Sequence, residues 1–289
     1  MRLGILDIGS NSVRLMLWEN GETLEKKIIV SGLGKNLSAG GMLDAAAKER
    51  TKKAIDSLIA YGEERGAEKF YAFGTAAMRK AADGKAFAAE ITAETDMPVE
   101  IIGGEEEAAV GLLGALGGKD GGIVDIGGAS TEITVCSAGR CVYSHSLDLG
   151  TVSLADLCGQ SFPAARALCA ERVKEYGKVP AAEFYGIGGA ATSLAAIAQE
   201  LEPYDPARVN GYVLDKKELC AMKDRLYSMS VEERKKLKGL QPERAEVIAG
   251  GSALLLAVME HLGIENIRVS ESDNLEGYAL SRFGNGEHR

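Results

Sequence analysis

Histidine is scarce in this 289-residue chain, and its three copies, His145, His261 and His288, fall outside every motif described below. A histidine nucleophile or a histidine-built metal cluster is therefore not expected, and each is read as a surface or packing residue. The five cysteines, Cys136, Cys141, Cys158, Cys169 and Cys220, form an odd set with no C-x-x-C pair. That argues against a disulfide framework or a zinc site and leaves them as reduced packing residues. No apolar run approaches the roughly 18 residues of a membrane span. Asp7 also interrupts the N-terminal apolar segment before it could act as a signal core. A cytoplasmic protein with no membrane partner is the expectation. Basic charge is lacking too: 33 Lys and Arg against 42 Asp and Glu give a formal net charge of -9. DNA binding, which needs a basic surface to displace counterions, is not expected. An anionic small ligand stays open, because backbone donors, a divalent cation and a few arginines can gather in one place.

Apolar residues are plentiful, at 46% of the chain, enough for a substantial core and, at this length, about two domains. Leu3-Gly4-Ile5-Leu6, Phe70-Tyr71-Ala72-Phe73 and Gly122-Ile123-Val124 are short apolar runs that stop at glycine or a polar turn, and they read as buried strands. Helical periodicity marks roughly Ala45 to Arg65, Gly84 to Thr95, Glu105 to Leu116, Ala190 to Leu201, Lys216 to Met229 and Ala245 to Leu262. The class is α/β. Thirty-six glycines against six prolines gather at strand ends, and the run Gly117 to Gly121 is the one linker-like stretch. It places a domain boundary between residues 118 and 119.

The most informative feature is an internal echo. Asp7-Ile8-Gly9-Ser10-Asn11-Ser12 is matched, 118 residues later, by Asp125-Ile126-Gly127-Gly128-Ala129-Ser130-Thr131, through D-I-G and a nearby serine. Both follow an apolar strand, which suggests duplicated units. Such a turn directs backbone N–H groups to one concave side, and glycine lets a phosphate approach. Gly9, Ser10, Asn11 and Ser12, with Gly127, Gly128, Ala129, Ser130 and Thr131, are the phosphate-binding candidates. Asp7 and Asp125, at strand ends, are placed to hold Mg²⁺ directly or through water, or to cap their own turns.

Four further features remain. The turn Gly186-Ile187-Gly188-Gly189 opens an alanine-rich helix and could present Gly188 and Gly189 to an anion, or serve close helix-strand packing. Ala249-Gly250-Gly251-Ser252 lies within a helical pattern and reads as a tight helix contact. Glu105, Glu106 and Glu107 open a helix after the strand-like Val99 to Ile102; they suit the positive end of the macrodipole, or one of them is a general base. Arg79, just past a buried strand, suits a phosphate oxygen pair or a solvated helix start.

Together these residues resemble the exopolyphosphatase and guanosine pentaphosphate phosphohydrolase family, within the actin, sugar kinase and chaperone ATPase superfamily. The likeness runs nearly end to end: D-I-G-S-N-S-V-R-L (Asp7 to Leu15), G-T-A-A-M-R (Gly74 to Arg79), G-E-E-E-A (Gly104 to Ala108) and D-I-G-G-A-S-T-E (Asp125 to Glu132). It continues through G-I-G-G-A-A-T-S-L (Gly186 to Leu194), N-G-Y-V-L (Asn210 to Leu214), R-A-E-V-I-A-G-G (Arg244 to Gly251) and V-S-E-S-D-N-L-E-G (Val269 to Gly277).

The resemblance implies two actin-like, ribonuclease H-like lobes flanking a cleft: residues 1–118, joined by a C-terminal helix over 274–284, and residues 119–289. It makes Glu107 the catalytic base, Arg79 a cleft arginine, Asp125 the carboxylate linked to Mg²⁺ (or Mn²⁺), and Glu132 an acid that helps hold water or metal. The implied reaction is metal-dependent hydrolysis of the terminal phosphoanhydride of polyphosphate, with guanosine pentaphosphate as the alternative substrate. An ATP-dependent kinase of the superfamily and a non-catalytic polyphosphate or alarmone sensor are the other readings. Ala129, Ser153 and Asn210 depart from residues common in the family. Oligomeric state stays open, with a homodimer as the candidate.

Overall fold

A computed structural model describes residues 1–35, 37 and 41–284. The chain forms two compact units: residues 1–114 with the C-terminal segment from Asn274, and residues 115–273. Among the described residues no helix is long and apolar enough to cross a membrane.

The first unit is built on β1 (Leu3–Ile8), buried along its whole length, as the uninterrupted apolar run requires of a central strand. β2 (Ser12–Glu19) returns antiparallel to it, and Asn20-Gly21, both at positive φ, turn the chain tightly into β3 (Glu22–Val30). The lysines and glutamates of β3 suit an edge strand. α1 (Ala45–Glu64) starts where the Asp44 carboxylate accepts from the Ala47 N–H, and it buries Ala47, Thr51, Ala54, Ile55 and Leu58. β4 (Lys69–Gly74), α2 (Ala76–Lys80), α3 (Gly84–Thr95), β5 (Val99–Ile101) and α4 (Gly104–Leu116) complete the run. The sheet order is β3-β2-β1-β4-β5, with β4 and β5 parallel to β1. Period-two alternation splits β1 between two apolar layers. Leu6 and Ile8 pack with Ile55, Leu58, Phe87 and Ile91, whereas Leu3 and Ile5 pack with Met16, Phe73 and Val110. Each such buried aliphatic or aromatic side chain contributes roughly 1.5–3 kcal/mol.

The second unit begins with β6 (Gly121–Ile126), β7 (Thr131–Ser137) and β8 (Arg140–Leu147), an antiparallel meander. α5 (Thr151–Cys158), α6 (Phe162–Arg172), β9 (Phe184–Ile187) and α7 (Gly188–Ala198) follow, then α8 (Pro206–Val209), β10 (Val213–Asp215), α9 (Lys216–Ser228), α10 (Val231–Arg234), α11 (Ile248–Leu262) and β11 (Asn266–Val269). Its sheet runs β10-β11-β9-β6-β7-β8. Without the added strand β10, the order β8-β7-β6-β9-β11 repeats the first unit's plan, including the parallel pairing of β6 with β9 and of β9 with β11. Each unit therefore has the actin-like, ribonuclease H-like strand plan. The chain then re-enters the first unit as α12 (Asn274–Phe283), whose Leu275, Tyr278 and Ala279 join the layer of Leu3, Ile5 and Phe73. A Cβ on Gly277 would lie 1.6 Å from the Val110 carbonyl, so only glycine lets α12 cross α4 this closely.

Two helix starts differ from the sequence pattern. α7 begins at Gly188, two residues before Ala190, because the glycines themselves adopt the first turn. α11 begins at Ile248, since Pro242 to Arg244 form a separate 3-10 turn ahead of it. Gly250 and Gly251 lie inside α11 as tight contacts, against Leu154 and against Thr151 and Ala190.

Candidate functional site

The two echoing turns are the same structure. Gly9 N–H donates to the Ser12 carbonyl and Gly127 N–H to the Ser130 carbonyl, each at 3.0 Å. The offset of 118 residues carries Ser12 onto Ser130 and Asp7 onto Asp125, so the serine of the echo is in register and the repeat is tighter than D-I-G alone. The glycine amides close the turns internally. A ligand must therefore use other groups of each turn.

In the first unit, Asp7 sits on β1 opposite Arg14 of β2 and is buried. Arg14 donates to its Oδ2 from both Nε, at 3.1 Å, and Nη2. Residues directly opposite in an antiparallel pair share a face, so strand register alone aims this guanidinium at the carboxylate. Ser10 is buried because Gly34 N–H donates to its carbonyl at 2.7 Å and Gly34 closes over its side chain. Asn11 and Ser12 are half-buried, and the Asn11 carbonyl accepts from Ser31 and Gly32.

β4 delivers Arg79 through α2, and β5 delivers Glu107 in the first turn of α4. Arg79 Nη1 donates to Glu107 Oε2 at 2.8 Å and to the Ile102 carbonyl at 3.0 Å. The three glutamates of the helix start separate sharply. Glu105 is exposed, Glu106 pairs with Arg282 of α12, and Glu107 is buried. Burial pushes the Glu107 carboxyl above the usual carboxylate range, Arg79 pulls it back in part, and the negative charge of Asp7 adds to the rise. Glu107 is thus a buried carboxylate whose pKa is raised and whose Oε2 is oriented by Arg79, an arrangement that can take a proton from water.

In the second unit, Asp125 is half-buried near the end of β6 and pairs in register with Glu132 of β7. Here the rung that holds Arg14 in the first unit holds a second acid. Glu132 is buried and accepts a 2.6 Å hydrogen bond from Ser146 Oγ. Gly188 has φ +75° and its backbone lies against Asp125, so that a Cβ there would stand 2.6 Å from Oδ1. Gly189 lies against the Arg244 guanidinium. Gly150 supports the turn from beneath, within 2.6 Å of the Gly127 carbonyl and the Ala129 nitrogen as measured from a built Cβ. The Gly127 carbonyl accepts from Thr151, and the Gly128 carbonyl accepts from Val152 and Ser153. Thr131 is one of the phosphate-binding candidates. It is fully buried and donates to the Leu149 carbonyl at 2.6 Å, which ties the turn to the strand end. Ser130 is also buried, while Gly128 and Ala129 are half-buried.

Composition and spacing do not single out Arg14, Gly150, Ser146 or Arg244. A signal existed for Arg14: the same offset aligns it with Glu132, so the repeat changes charge sign at one rung. Ser153 caps its own helix, its Oγ accepting from Gly150 N–H at 2.8 Å. Asn210 Oδ1 accepts from Glu271 N–H at 3.2 Å. His145 packs edge-on to Tyr176 and His261 meets the Gly177 carbonyl, while His288 lies outside the described residues.

The profile of the Ppx/GppA phosphatase family matches residues 21–285. Exopolyphosphatase 2 of Mycobacterium tuberculosis is 32% identical, over 98% of this chain and 99% of that protein. A protein of Photobacterium profundum named guanosine-5'-triphosphate,3'-diphosphate pyrophosphatase is 26% identical over 98% of this chain, which spans 59% of its length. Among solved structures, the Aquifex aeolicus PPX-GPPA enzyme superposes with a TM-score of 0.77 at 27% identity, covering 98% of this chain and 99% of that one. An exopolyphosphatase from Cytophaga hutchinsonii shares the fold, with a TM-score of 0.85 at 22% identity and 97% coverage of each chain. The chain belongs to the Ppx/GppA phosphatase family.

Proposed function

We propose that the chain is an exopolyphosphatase that hydrolyses the terminal phosphoanhydride of inorganic polyphosphate and releases orthophosphate. The observation that carries this reading is the ion pair of half-buried Arg79 with buried Glu107, whose carboxyl feels the charge of Asp7, in a chain that aligns over 98% of its length with a protein named exopolyphosphatase 2. Glu107 accepts the proton of the attacking water at its carboxylate, and the burial that raises its pKa makes it a stronger base than an exposed carboxylate. Arg79 fixes the carboxylate's orientation through Nη1 and leaves the rest of its fork for a phosphate oxygen. Positioning and electrostatics then supply most of the rate.

Asp125 and Glu132 are hard oxygen donors on one rung, and Asp125 is held by the close backbone of Gly188. That donor set fits Mg²⁺ or Mn²⁺ with waters and phosphate oxygens completing the shell. An ion held by these two carboxylates would neutralise phosphate charge. Asp7 is committed to Arg14, so we assign it a charge-setting role toward Glu107 ahead of metal binding. Ser10, Asn11, Ser12, Gly128, Ala129, Ser130, Gly188 and Gly189 are the residues we assign to the phosphate groups. The reading includes a cytoplasmic enzyme that acts without DNA, with a homodimer as the oligomer to test.

Guanosine pentaphosphate is the second reading, because relatives named for it share the family. Polyphosphate is favoured because the relative that matches over its own full length carries that name. Phosphate release from long polyphosphate by Glu107→Gln is expected to fall by about 10²–10⁴-fold. Undiminished release would overturn the assignment of Glu107, and a higher kcat/KM on guanosine pentaphosphate would reverse the substrate choice.

A further inference from the structure

The cysteines do not behave as one set of packing residues: Cys169 is buried, Cys136, Cys158 and Cys220 are half-buried, and Cys141 is exposed. Cys136 and Cys141 are direct partners across the β7–β8 ladder. We propose that these two residues form a reversible disulfide site at the tip of that hairpin, oxidised by low-molecular-weight disulfides.

The geometry follows from the turn. β7 and β8 are joined by Ala138 (φ 50°) and Gly139 (φ 68°), two central residues at positive φ, as in a two-residue hairpin loop. Asp120 holds this turn, its carboxylate accepting from Ala138 N–H at 2.8 Å and Gly139 N–H at 3.1 Å. Ser137 and Arg140 close the loop as a pair. Cys136 and Cys141 are the next pair outward, beside a register shift between Val135 and Cys136, and residues directly opposite each other across an antiparallel pair have Cα atoms roughly 4.5–5.5 Å apart. A disulfide requires roughly 4.4–6.8 Å. The Cα spacing already fits. In the reduced protein each thiol is turned elsewhere, Cys141 Sγ lying 3.4 Å from the Tyr143 carbonyl and Cys136 Sγ 4.0 Å from Asp120 Oδ1. Rotation about the two Cα–Cβ bonds brings the sulfurs together.

Exposure sets the order of events. The Cys141 thiolate attacks one sulfur of the small disulfide RSSR, forming a mixed disulfide and expelling one RS⁻. The Cys136 thiolate then attacks the Cys141 sulfur and expels the second RS⁻. The two thiol protons pass to the two leaving thiolates. The cysteines lose two electrons, and RSSR gains them. Partial burial, the Asp120 charge and the neighbouring Cys141 hold the Cys136 thiol above its ordinary range, which leaves the first attack to the exposed Cys141. A closed bond also protects the exposed Cys141 sulfur from irreversible oxidation. Cys169, buried with its thiol pushed up to about 12, is an internal control.

Trypsin tests this directly, because Arg140 lies between the two cysteines. The intact protein is incubated with oxidised glutathione, free thiols are alkylated, and the digest is analysed without reduction. The expected result is one species joining residues 120–140 to residues 141–166, linked through Cys136 and Cys141 with Cys158 alkylated, and separated by reductant. Cys141→Ser abolishes the species and Cys158→Ser leaves it intact. A glutathione adduct that persists on Cys141 beside alkylated Cys136, or a link from Cys136 to Cys158, overturns the proposal.

Discussion

Replacing Gly188 by alanine tests whether the third glycine turn exists for the sake of Asp125. Two costs are separable. The residue has φ +75°, where a Cβ costs about 1–2 kcal/mol of backbone strain. The new methyl would also stand 2.6 Å from Asp125 Oδ1, whereas ordinary contact starts at 3.4 Å, so the carboxylate must retreat by the difference, about 0.8 Å. A displacement near 1 Å in a catalytic arrangement costs on the order of 10²-fold in rate. The matched control is Gly263→Ala at the end of α11, with φ +66° and no atom within 4 Å of the built Cβ. It carries the backbone strain without the clash. Both variants should lower Tm by a few degrees, roughly 2–4 °C per kcal/mol for a chain of this size. Only Gly188→Ala should lose about 100-fold in kcat/KM for phosphate release and need more divalent metal for half-maximal rate. If the two variants lose stability alike and Gly188→Ala keeps wild-type kcat/KM and metal dependence, the turn does not position Asp125 for catalysis.

Three further perturbations probe other parts of the molecule. Arg79→Gln removes the cation that holds Glu107 down, so the acid limb of the kcat/KM profile should move to higher pH, with a loss of roughly 10–100-fold at pH 7 that narrows in alkali; an unmoved limb would contradict the pairing. Asp83 is raised by burial but lowered on balance by hydrogen bonds from Leu43 N–H and Lys48, so its folded pKa lies below the ordinary 3.8. Its stabilisation is present above that value and lost as pH falls through the folded pKa, and Asp83→Asn should flatten Tm against pH below 3.8, a change that differential scanning calorimetry would register or fail to find. Arg234 is 1% exposed and donates to the Leu226 carbonyl at 2.6 Å and the Ala245 carbonyl at 3.3 Å, so Arg234→Leu leaves two buried acceptors and should cost about 2–4 kcal/mol in urea unfolding. An unchanged midpoint would show that water replaces the guanidinium.

The architecture was largely legible because its signals are local. An apolar run ending at D-I-G marks a central strand and the turn that follows, and six periodic segments mark six of the helices. The largely exposed meander strands β3 and β8 gave no such signal, since their pattern makes sense only once β2 and β7 lie beside them. The short helices α2 and α10 were invisible for a related reason: at five and four residues they span little more than one turn, too short for the period to repeat.

The sequence by itself determined the repeat, the glycine turns, the acidic start of α4 and, through the motifs at Asp7, Gly74, Gly104 and Asp125, the family. Those are contiguous patterns, and a turn or a helix start is encoded within a few residues. Tertiary structure decided which glutamate is buried, that Arg79 reaches it from 28 positions away, that Asp7 answers to Arg14 while Asp125 faces Glu132, and that Gly188 rests on Asp125. It also separated Thr131, turned inward to Leu149, from the rest of its turn. Burial and charge pairing depend on which strands become neighbours. Neighbourhood across a sheet is a property of the folded chain, and so is the burial that raises the Glu107 pKa.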